Sequence, residues 1–138
     1  MNRDSRSLKL EFEQLRQADA TTGNGTMDLN VERDGSLLLV NLAGRLDGSN
    51  SRDFESSLNS EIGDSNCSVV LDLGELTYIS SAGLRAILLI TKSVKSKNAS
   101  MVLCSLPKQI EEVFKISGFD RIIPIHATKN EAVESIGG

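Results

Sequence analysis

The sequence predicts an α/β domain with a mixed, mostly parallel β-sheet, an N-terminal β-hairpin and about four helices. The first observation is that short apolar segments alternate with segments of helical periodicity, in the order β-β-α-β-α-β-α-β-α from Met27 onward. The second is that only the turn sequence Arg33-Asp34-Gly35-Ser36 separates the first two apolar segments, which indicates an antiparallel hairpin. Because a helix follows each later strand, those strands should pair in parallel through right-handed crossovers.

Residues 1–26 differ in character from the rest of the chain. We assign them to an N-terminal extension and linker, ahead of a domain that spans residues 27–138. Leu8, Phe12 and Leu15 lie at i, i+4 and i+7 and would form one face of a helix, whereas Leu8, Leu10 and Phe12 alternate as in a strand. The length of the segment favours a short helix. Residues 18–26 are small and polar with two glycines, which is typical of a flexible linker. The extension is therefore either a solvated tail or a docking arm.

The predicted hairpin and the first helix follow in order. Met27, Leu29 and Val31 alternate with polar residues, as in a strand with one buried face, and residues 37–42 are nearly all apolar. Three candidate N-caps and an apolar stripe at i, i+4 and i+8 then predict a helix: Ser49, Asn50 and Ser51, followed by Phe54, Leu58 and Ile62. Gly63 is expected to end this helix.

The central unit consists of a buried strand, a short connection and a long helix. Residues 68–73 are apolar and β-branched until Asp72, as expected for a strand buried on both faces, and Gly74 and Glu75 are expected to end it. The following helix is predicted from residues that recur at helical spacing: Leu84, Ile87, Leu88 and Thr91. Lysines near its far end suit the negative pole of the helix dipole, so Ser81 lies at the positive pole.

The remaining chain supplies two further strand–helix units. Residues 99–105 are predicted as a short apolar strand, and Pro107 stands where the first turn of a helix tolerates proline. That helix has an apolar stripe: Ile110, Val113, Phe114 and Ile116. Gly118 is expected to end it. Residues 121–125 are predicted as the last strand, and Thr128-Lys129-Asn130-Glu131 as the capping box of a terminal helix.

Ser80 and Ser81 lie in the predicted connection between the central strand and its helix. Serine is a preferred N-cap because its oxygen accepts a hydrogen bond from a free backbone N–H, so capping is one interpretation. Phosphorylation is the other, because the free N–H groups of a helix N-terminus accommodate a phosphate. Spacing alone does not decide between these roles. Asp47 also has a structural interpretation, as an acidic residue that complements the dipole of the helix after it.

The segment around Ser81 resembles the STAS domain of bacterial anti-sigma factor antagonists. Leu71-Asp72-Leu73, followed by Thr77-Tyr78-Ile79-Ser80-Ser81-Ala82-Gly83-Leu84, is similar to the part of that family that contains its D-S-[SAT]-G-L element. The resemblance implies that Ser81 is the phosphoacceptor. The chain departs from the pattern at Ser80, where many members carry Asp, and Ser80 therefore offers a second candidate hydroxyl.

Two further motifs extend the resemblance over residues 27–137. Gly44-Arg45-Leu46-Asp47 resembles the G-x-L-D element that follows the second strand of the family, and Ser117-Gly118-Phe119 resembles the S-G-hydrophobic turn after its third helix. The resemblance implies the STAS fold, with Asp47 beside the phosphoacceptor.

The resemblance implies a function by partner switching. The unmodified domain would bind an anti-sigma factor serine/threonine kinase and so release a sigma factor, phosphorylation of Ser81 would end that interaction, and a phosphatase would restore it. The expected partner-binding residues are Arg45, Asp47, Ser80, Ala82, Gly83, Leu84, Ser105 and Leu106. The last two are included because ligand contacts gather at the carboxyl ends of parallel strands. The alternative is a non-catalytic scaffold or accessory subunit of a stressosome-like or lipid-transport complex, in which the same face binds a partner without phosphate control.

The sequence argues against an enzyme. A serine in a strand-to-helix turn is also the nucleophile of hydrolases, and Asp120 and His126 follow Ser81 in a workable order, but that element requires G-x-S-x-G and position 79 is Ile. No G-x-x-x-x-G-K-[ST] loop and no His/Cys/Asp cluster with metal spacing occurs in the sequence. We therefore expect neither a cofactor nor a metal.

Composition and charge bound the remaining classes. The net charge is −4, without a basic patch beyond the end of one helix, which argues against direct nucleic-acid binding. No apolar stretch approaches the roughly 20 residues of a membrane span, and the N-terminus lacks the apolar core of a signal peptide, so we expect a cytoplasmic protein. Cys67 and Cys104 lie in strand-like surroundings and are expected to be buried thiols.

Overall fold

The computed structural model describes residues 27–63 and 66–136. Within these ranges the chain forms five strands: β1 (Met27–Asp34), β2 (Leu37–Leu46), β3 (Ser68–Ile79), β4 (Met101–Cys104) and β5 (Ile125–His126). Four helices accompany them: α1 (Ser51–Ile62), α2 (Ser81–Ser96), α3 (Lys108–Ser117) and α4 (Lys129–Ser135). The extension predicted over residues 1–26 lies outside the described residues.

The strands form one mixed sheet in the order β1-β2-β3-β4-β5. β1 and β2 pair antiparallel across a turn in which Gly35 adopts a φ of +64°, a conformation that glycine adopts without steric cost. The pairs β2–β3, β3–β4 and β4–β5 are all parallel. The predicted fold class and its N-terminal hairpin are therefore confirmed.

The helices divide unequally between the two faces of the sheet. The larger core lies under α1, α2 and α3, where Phe54, Ile87 and Phe114 are fully buried. A smaller apolar cluster lies on the opposite face, where Ala132 of α4 packs near Val70. β3 is thus buried on both faces over its first residues, as its continuous apolar sequence predicts. Both cysteines are buried, in agreement with the sequence analysis.

The helix ends follow the sequence signals. Gly63 ends α1 with a φ of +59°, and Gly118 ends α3 in the left-handed conformation with a φ of +82°. The hydroxyl of Thr128 accepts a hydrogen bond from the backbone N–H of Glu131 at 3.1 Å, which caps α4. No helix among the described residues combines the length and the apolar character that crossing a bilayer requires.

Two predicted boundaries were wrong. β3 does not end at Gly74 and Glu75 but continues to Ile79, because the end of β2 stays paired with it through two register shifts. The last strand is shorter than predicted and comprises only Ile125–His126. Phe119–Arg121 instead forms a short 3-10 helix, and Pro124 has no N–H to donate to a sheet.

Candidate functional site

A single residue, Ser80, connects the end of β3 to the start of α2. Its backbone is extended, and its N–H donates a hydrogen bond of 3.0 Å to the carbonyl of Leu46 at the end of β2. Its hydroxyl oxygen accepts a hydrogen bond of 3.2 Å from the N–H of Gly83. Ser80 is therefore the N-cap of α2, and capping, one of the two roles open to this serine pair, belongs to Ser80.

Ser81 is the first residue of α2 and its side chain is exposed. Within residues 27–63 and 66–136 its hydroxyl has no hydrogen-bond partner. The two adjacent serines thus differ in environment, since Ser80 is partly buried and engaged while Ser81 is open to solvent. The Ser81 hydroxyl is therefore accessible from outside the domain.

Gly83 allows α2 to lie directly against the end of β2. A Cβ at this position would lie 2.7 Å from the carbonyl oxygen of Leu46 and 2.9 Å from Cγ1 of Ile79. Such contacts are too short for any other residue, so the close approach requires glycine here. Leu84 beside it is 9% exposed and packs into the larger core. Gly83 and Leu84, both expected among the partner-binding residues, are thus largely buried inside the domain.

Asp47 organises the loop between β2 and α1. Its Oδ1 accepts hydrogen bonds from the hydroxyl of Ser49 at 2.6 Å and from the N–H of Ser49 at 2.9 Å. The Ser49 hydroxyl and then its N–H lower the pKa of the Asp47 carboxyl, and the nearby Arg45 guanidinium lowers it further. Asn50 closes the loop by accepting from the N–H of Asp47 and donating to the carbonyl of Arg45. Asp47 is therefore held ionised at neutral pH.

Arg45 is held over the surface beside this loop. Its guanidinium carbon lies 4.3 Å from the ring centroid of Tyr78, and its Nε lies 3.7 Å from Oδ2 of Asp47. The ring face and the carboxylate both attract the cation. Because Leu46 links this loop to Ser80, the Arg45–Asp47 pair belongs to the same edge of the sheet as the start of α2.

Ser105 and Leu106 lie apart from this group. The N–H of Ser105 donates to the carbonyl of His126, and a Cβ on Gly74 would lie 3.4 Å from Cβ of Ser105. β4 ends opposite Asp72, whereas β3 continues to Ile79. At a rise of about 3.3 Å per residue, the start of α2 is roughly 20 Å beyond Gly74. β3 and β4 therefore end at different levels of the sheet. That Ser105 and Leu106 belong to the partner-binding residues stays a prediction.

An open groove of about 370 Å³ lies between α1 and α2, beside Ser81. Its lining residues are Ser51, Arg52, Glu55, Ser81, Ala82, Arg85, Ala86 and Leu89. Of the predicted site residues only Ser81 and Ala82 line it. Sequence reasoning did not single out Arg52, Arg85 or Leu89. In the structure Leu89 is a large apolar side chain that is 45% exposed. The sequence does contain a signal for Arg85: it follows Ser81 by four residues, a spacing that makes the two side chains neighbours on a helix.

The comparisons with known proteins agree with this architecture. The STAS domain family model matches residues 28–132. "Putative anti-sigma factor antagonist BtrV" of Bordetella bronchiseptica is 38% identical over 106 residues, which cover 77% of this chain and 91% of BtrV.

Solved structures share the fold. An anti-sigma factor antagonist from Mycobacterium paratuberculosis superimposes with a TM-score of 0.74 at 16% identity, covering 83% of this chain and 97% of that one. SpoIIAA in its unphosphorylated form gives a TM-score of 0.68 at 17% identity, over 79% of this chain and 96% of SpoIIAA. The phosphorylated form of Bacillus SpoIIAA gives 0.63 at 17% identity, over 79% of this chain and 99% of SpoIIAA. At these identities the structures establish the fold alone.

The family model extends over more than half of the chain, and the match to BtrV over more than two thirds of it. The resemblance inferred from the sequence motifs is therefore confirmed. Anti-sigma factor antagonists are non-catalytic regulators, which also confirms that the chain is not an enzyme. The chain belongs to the STAS domain family and is a member of its anti-sigma factor antagonists.

Proposed function

We propose that this anti-sigma factor antagonist binds an anti-sigma factor serine/threonine kinase in its unmodified form, and that phosphorylation of Ser81 ends the complex. Binding occupies the kinase and releases the sigma factor. A phosphatase that hydrolyses phosphorylated Ser81 restores binding. The relative BtrV carries the name of an antagonist, and SpoIIAA has been solved in a phosphorylated form, which supports phosphate control for this chain.

The observation that carries the proposal is the contrast between the two adjacent serines. Ser81 presents an exposed hydroxyl without a hydrogen-bond partner among the described residues, whereas Ser80 is partly buried and caps α2. A kinase must place the acceptor oxygen in line with the γ-phosphoryl group of ATP, so the acceptor has to reach out of its own domain. Ser81 meets that requirement without uncapping the helix.

The proposed modification is an ordinary phosphoryl transfer. The Oγ of Ser81 forms a bond to the γ-phosphorus of ATP, the bond from that phosphorus to the bridging oxygen breaks, ADP leaves, and the hydroxyl proton passes to a base of the kinase. The product carries about −1.5 to −2 charges and three acceptor oxygens at neutral pH. A charge of that size at the centre of a desolvated interface opposes binding unless a cation on the partner meets it.

The surface proposed for the kinase runs from the Arg45–Asp47 pair across the start of α2. Arg45 is 47% exposed and Asp47 20% exposed, so both side chains are accessible at its rim. The hydrogen bonds around Asp47 fix this rim before binding, which lowers the entropic cost of association. Ser81 and Ala82 lie next to it, and Gly83 and Leu84 support it from below.

The experiment is a phosphorylation and binding assay with purified candidate anti-sigma factor kinases from the source genome. We expect ATP-dependent addition of one phosphoryl group, located on Ser81 by peptide mass spectrometry. Ser81→Ala should bind the kinase and resist modification, because it loses only the hydroxyl. Ser80→Ala is the matched control and should still be phosphorylated at Ser81. Calorimetry should show that phosphorylated protein binds the kinase roughly 5- to 150-fold more weakly, the range of an allosteric coupling of 1–3 kcal/mol.

Two results would contradict the proposal in different ways. Modification confined to Ser80, or retained in Ser81→Ala, would place the phosphoacceptor elsewhere. Equal affinity of phosphorylated and unmodified protein for its partner would remove phosphate control and favour the scaffold or accessory subunit instead.

A further inference from the structure

The groove between α1 and α2 places two arginines on either side of Ser81. Arg52 belongs to α1 and Arg85 to α2, and both line the groove together with Ser81. Both side chains are exposed, and neither guanidinium forms an ion pair or hydrogen bond with another residue in the described part of the chain. Two unpaired guanidinium groups in one groove are suited to bind a planar or tetrahedral anion.

Arg45, the other arginine close to the start of α2, is in a different situation. Its guanidinium stacks on Tyr78 at 4.3 Å and lies 3.7 Å from the carboxylate of Asp47. An additional anion at Ser81 would have to compete with both contacts. Among the arginines that the structure describes near the start of α2, Arg52 and Arg85 can therefore turn to Ser81 without breaking an existing contact.

We propose that Arg85 and Arg52 bind the phosphate of phosphorylated Ser81 within the same domain. This inference rests on the proposed function, since it concerns the modified form of Ser81. Arg85 follows Ser81 by four residues, and side chains at i and i+4 of a helix are neighbours about 5–6 Å apart at Cβ. Arg52 approaches from the facing helix, which packs against α2. The phosphate thus meets one cation from each side of the groove.

This contact changes what phosphorylation does to the surface. Two arginines and one glutamate, Glu55, give the unmodified groove lining a formal charge of +1. A phosphate of about −2 reverses the sign of that charge. It also occupies both guanidinium groups, so the partner loses two donors at the same time as it meets a new negative charge. Phosphorylation on this account withdraws a basic recognition surface.

The test uses the full chain with phosphoserine incorporated at position 81 by genetic encoding, so that no kinase is required. ³¹P NMR follows the second ionisation of the phosphate, whose pKa is about 6 in the absence of neighbours. Nearby cations favour the dianion, so we expect the pKa in the otherwise unchanged protein to lie lower by roughly one unit. Arg52→Gln with Arg85→Gln should raise the pKa toward about 6 and leave only the smaller lowering that the N-terminus of α2 causes. High salt should move it in the same direction, because exposed ion pairs are screened.

Arg121→Gln is the matched control, because Arg121 is also exposed but lies near the opposite end of α2. The neighbouring Ile122 carbonyl accepts a hydrogen bond from Lys95, which is in the last turn of that helix. It should leave the phosphate pKa unchanged. Glu55→Gln should lower the pKa further by removing the opposing charge from the groove. A phosphate that titrates near 6 in the otherwise unchanged protein, or a pKa that does not rise in the double variant, would overturn the inference.

Failure of this inference and failure of the proposed function are distinguishable. Failure of the kinase assay leaves the phosphoserine titration intact as a measurement of the groove. If the phosphate does not interact with either arginine, phosphorylation could still control partner binding by electrostatic repulsion. A double-mutant cycle measured by thermal unfolding gives a second readout. Phosphoserine should raise the melting temperature more in the parent chain than in the double arginine variant. Equal shifts in the two proteins would also overturn the inference.

Discussion

The first two turns of α2 have two faces with opposite roles. The inner face contains Gly83 and Leu84, which are buried against the end of β2 and the larger core. The outer face contains Ser81 and Arg85, which are exposed and line the groove toward α1. The motif that identifies the family therefore combines residues that fix the helix with a residue whose side chain is exposed. A match to the whole motif does not make each of its members a contact residue.

The largest effect is expected when the inner face is disturbed. Gly83→Ala places a Cβ 2.7 Å from the carbonyl oxygen of Leu46. That oxygen also accepts a hydrogen bond from the N–H of Ser80, so it cannot move without weakening this bond. We expect a loss of about 1–3 kcal/mol in the free energy of unfolding, the usual cost of overpacking. Urea denaturation measures it.

Gly48→Ala is the control for this substitution. Gly48 lies in the nearby loop after Asp47 and has no atom within 4 Å of an added Cβ. Its effect on stability should be small. If Gly83→Ala proved as stable as Gly48→Ala, the close approach of α2 to β2 would not be a constraint on this position, and the distinction between the two faces would weaken.

Ser80 lies at the boundary between the two faces and should have an intermediate effect. Ser80→Ala removes the acceptor of the Gly83 N–H and should cost about 1 kcal/mol, as the loss of an N-cap does. Ser80→Asp should retain the stability, because aspartate caps equally well. Thermal unfolding of both, beside Ser81→Ala, is the measurement. A larger loss from Ser81→Ala than from Ser80→Ala would reverse the assignment of the cap.

The parts of the fold that depend on local sequence could be predicted. The stripe of Phe54, Leu58 and Ile62 is buried on α1 because helical periodicity places these residues on one face. Gly118 ends α3 because a left-handed residue satisfies the last carbonyl groups, a requirement visible in the sequence alone.

The length of β3 could not be predicted in the same way. Gly74 and Glu75 are poor strand formers, and the strand passes through them only because β2 continues alongside with register shifts after Asn41 and Gly44. Because β3 continues to Ile79, Ser105 lies beside Gly74 and not beside the last residue of β3. Pairing between distant segments decides such boundaries, and a single sequence does not encode it locally.

The candidate site was predicted at one level and missed at another. The motif alignment identified Ser81, but the groove beside it depends on where α1 lies relative to α2, and no local pattern states that position. The sequence motifs therefore do not predict that Arg52 lies in the groove beside Ser81. Assigning the cap to Ser80 and not to Ser81 likewise depended on the hydrogen bond from the Gly83 N–H to the Ser80 hydroxyl, which only the structure shows.

The smallest effect on stability is expected on the outer face, where Ser81→Asp separates a binding switch from a folding switch. A carboxylate in the first turn of a helix is favoured by the dipole by about 0.3–1 kcal/mol, and Ser80 still caps the helix, so the variant should remain folded with nearly unchanged stability. Its affinity for the kinase should nevertheless fall, because the added charge enters a desolvated interface. Circular dichroism measures the first property and titration calorimetry the second. An unfolded variant would mean that the outer face also supports the fold. Binding as tight as that of Ser81→Ala, repeated with phosphorylated protein because a carboxylate carries less charge than a phosphate, would mean that charge at Ser81 does not control the partner.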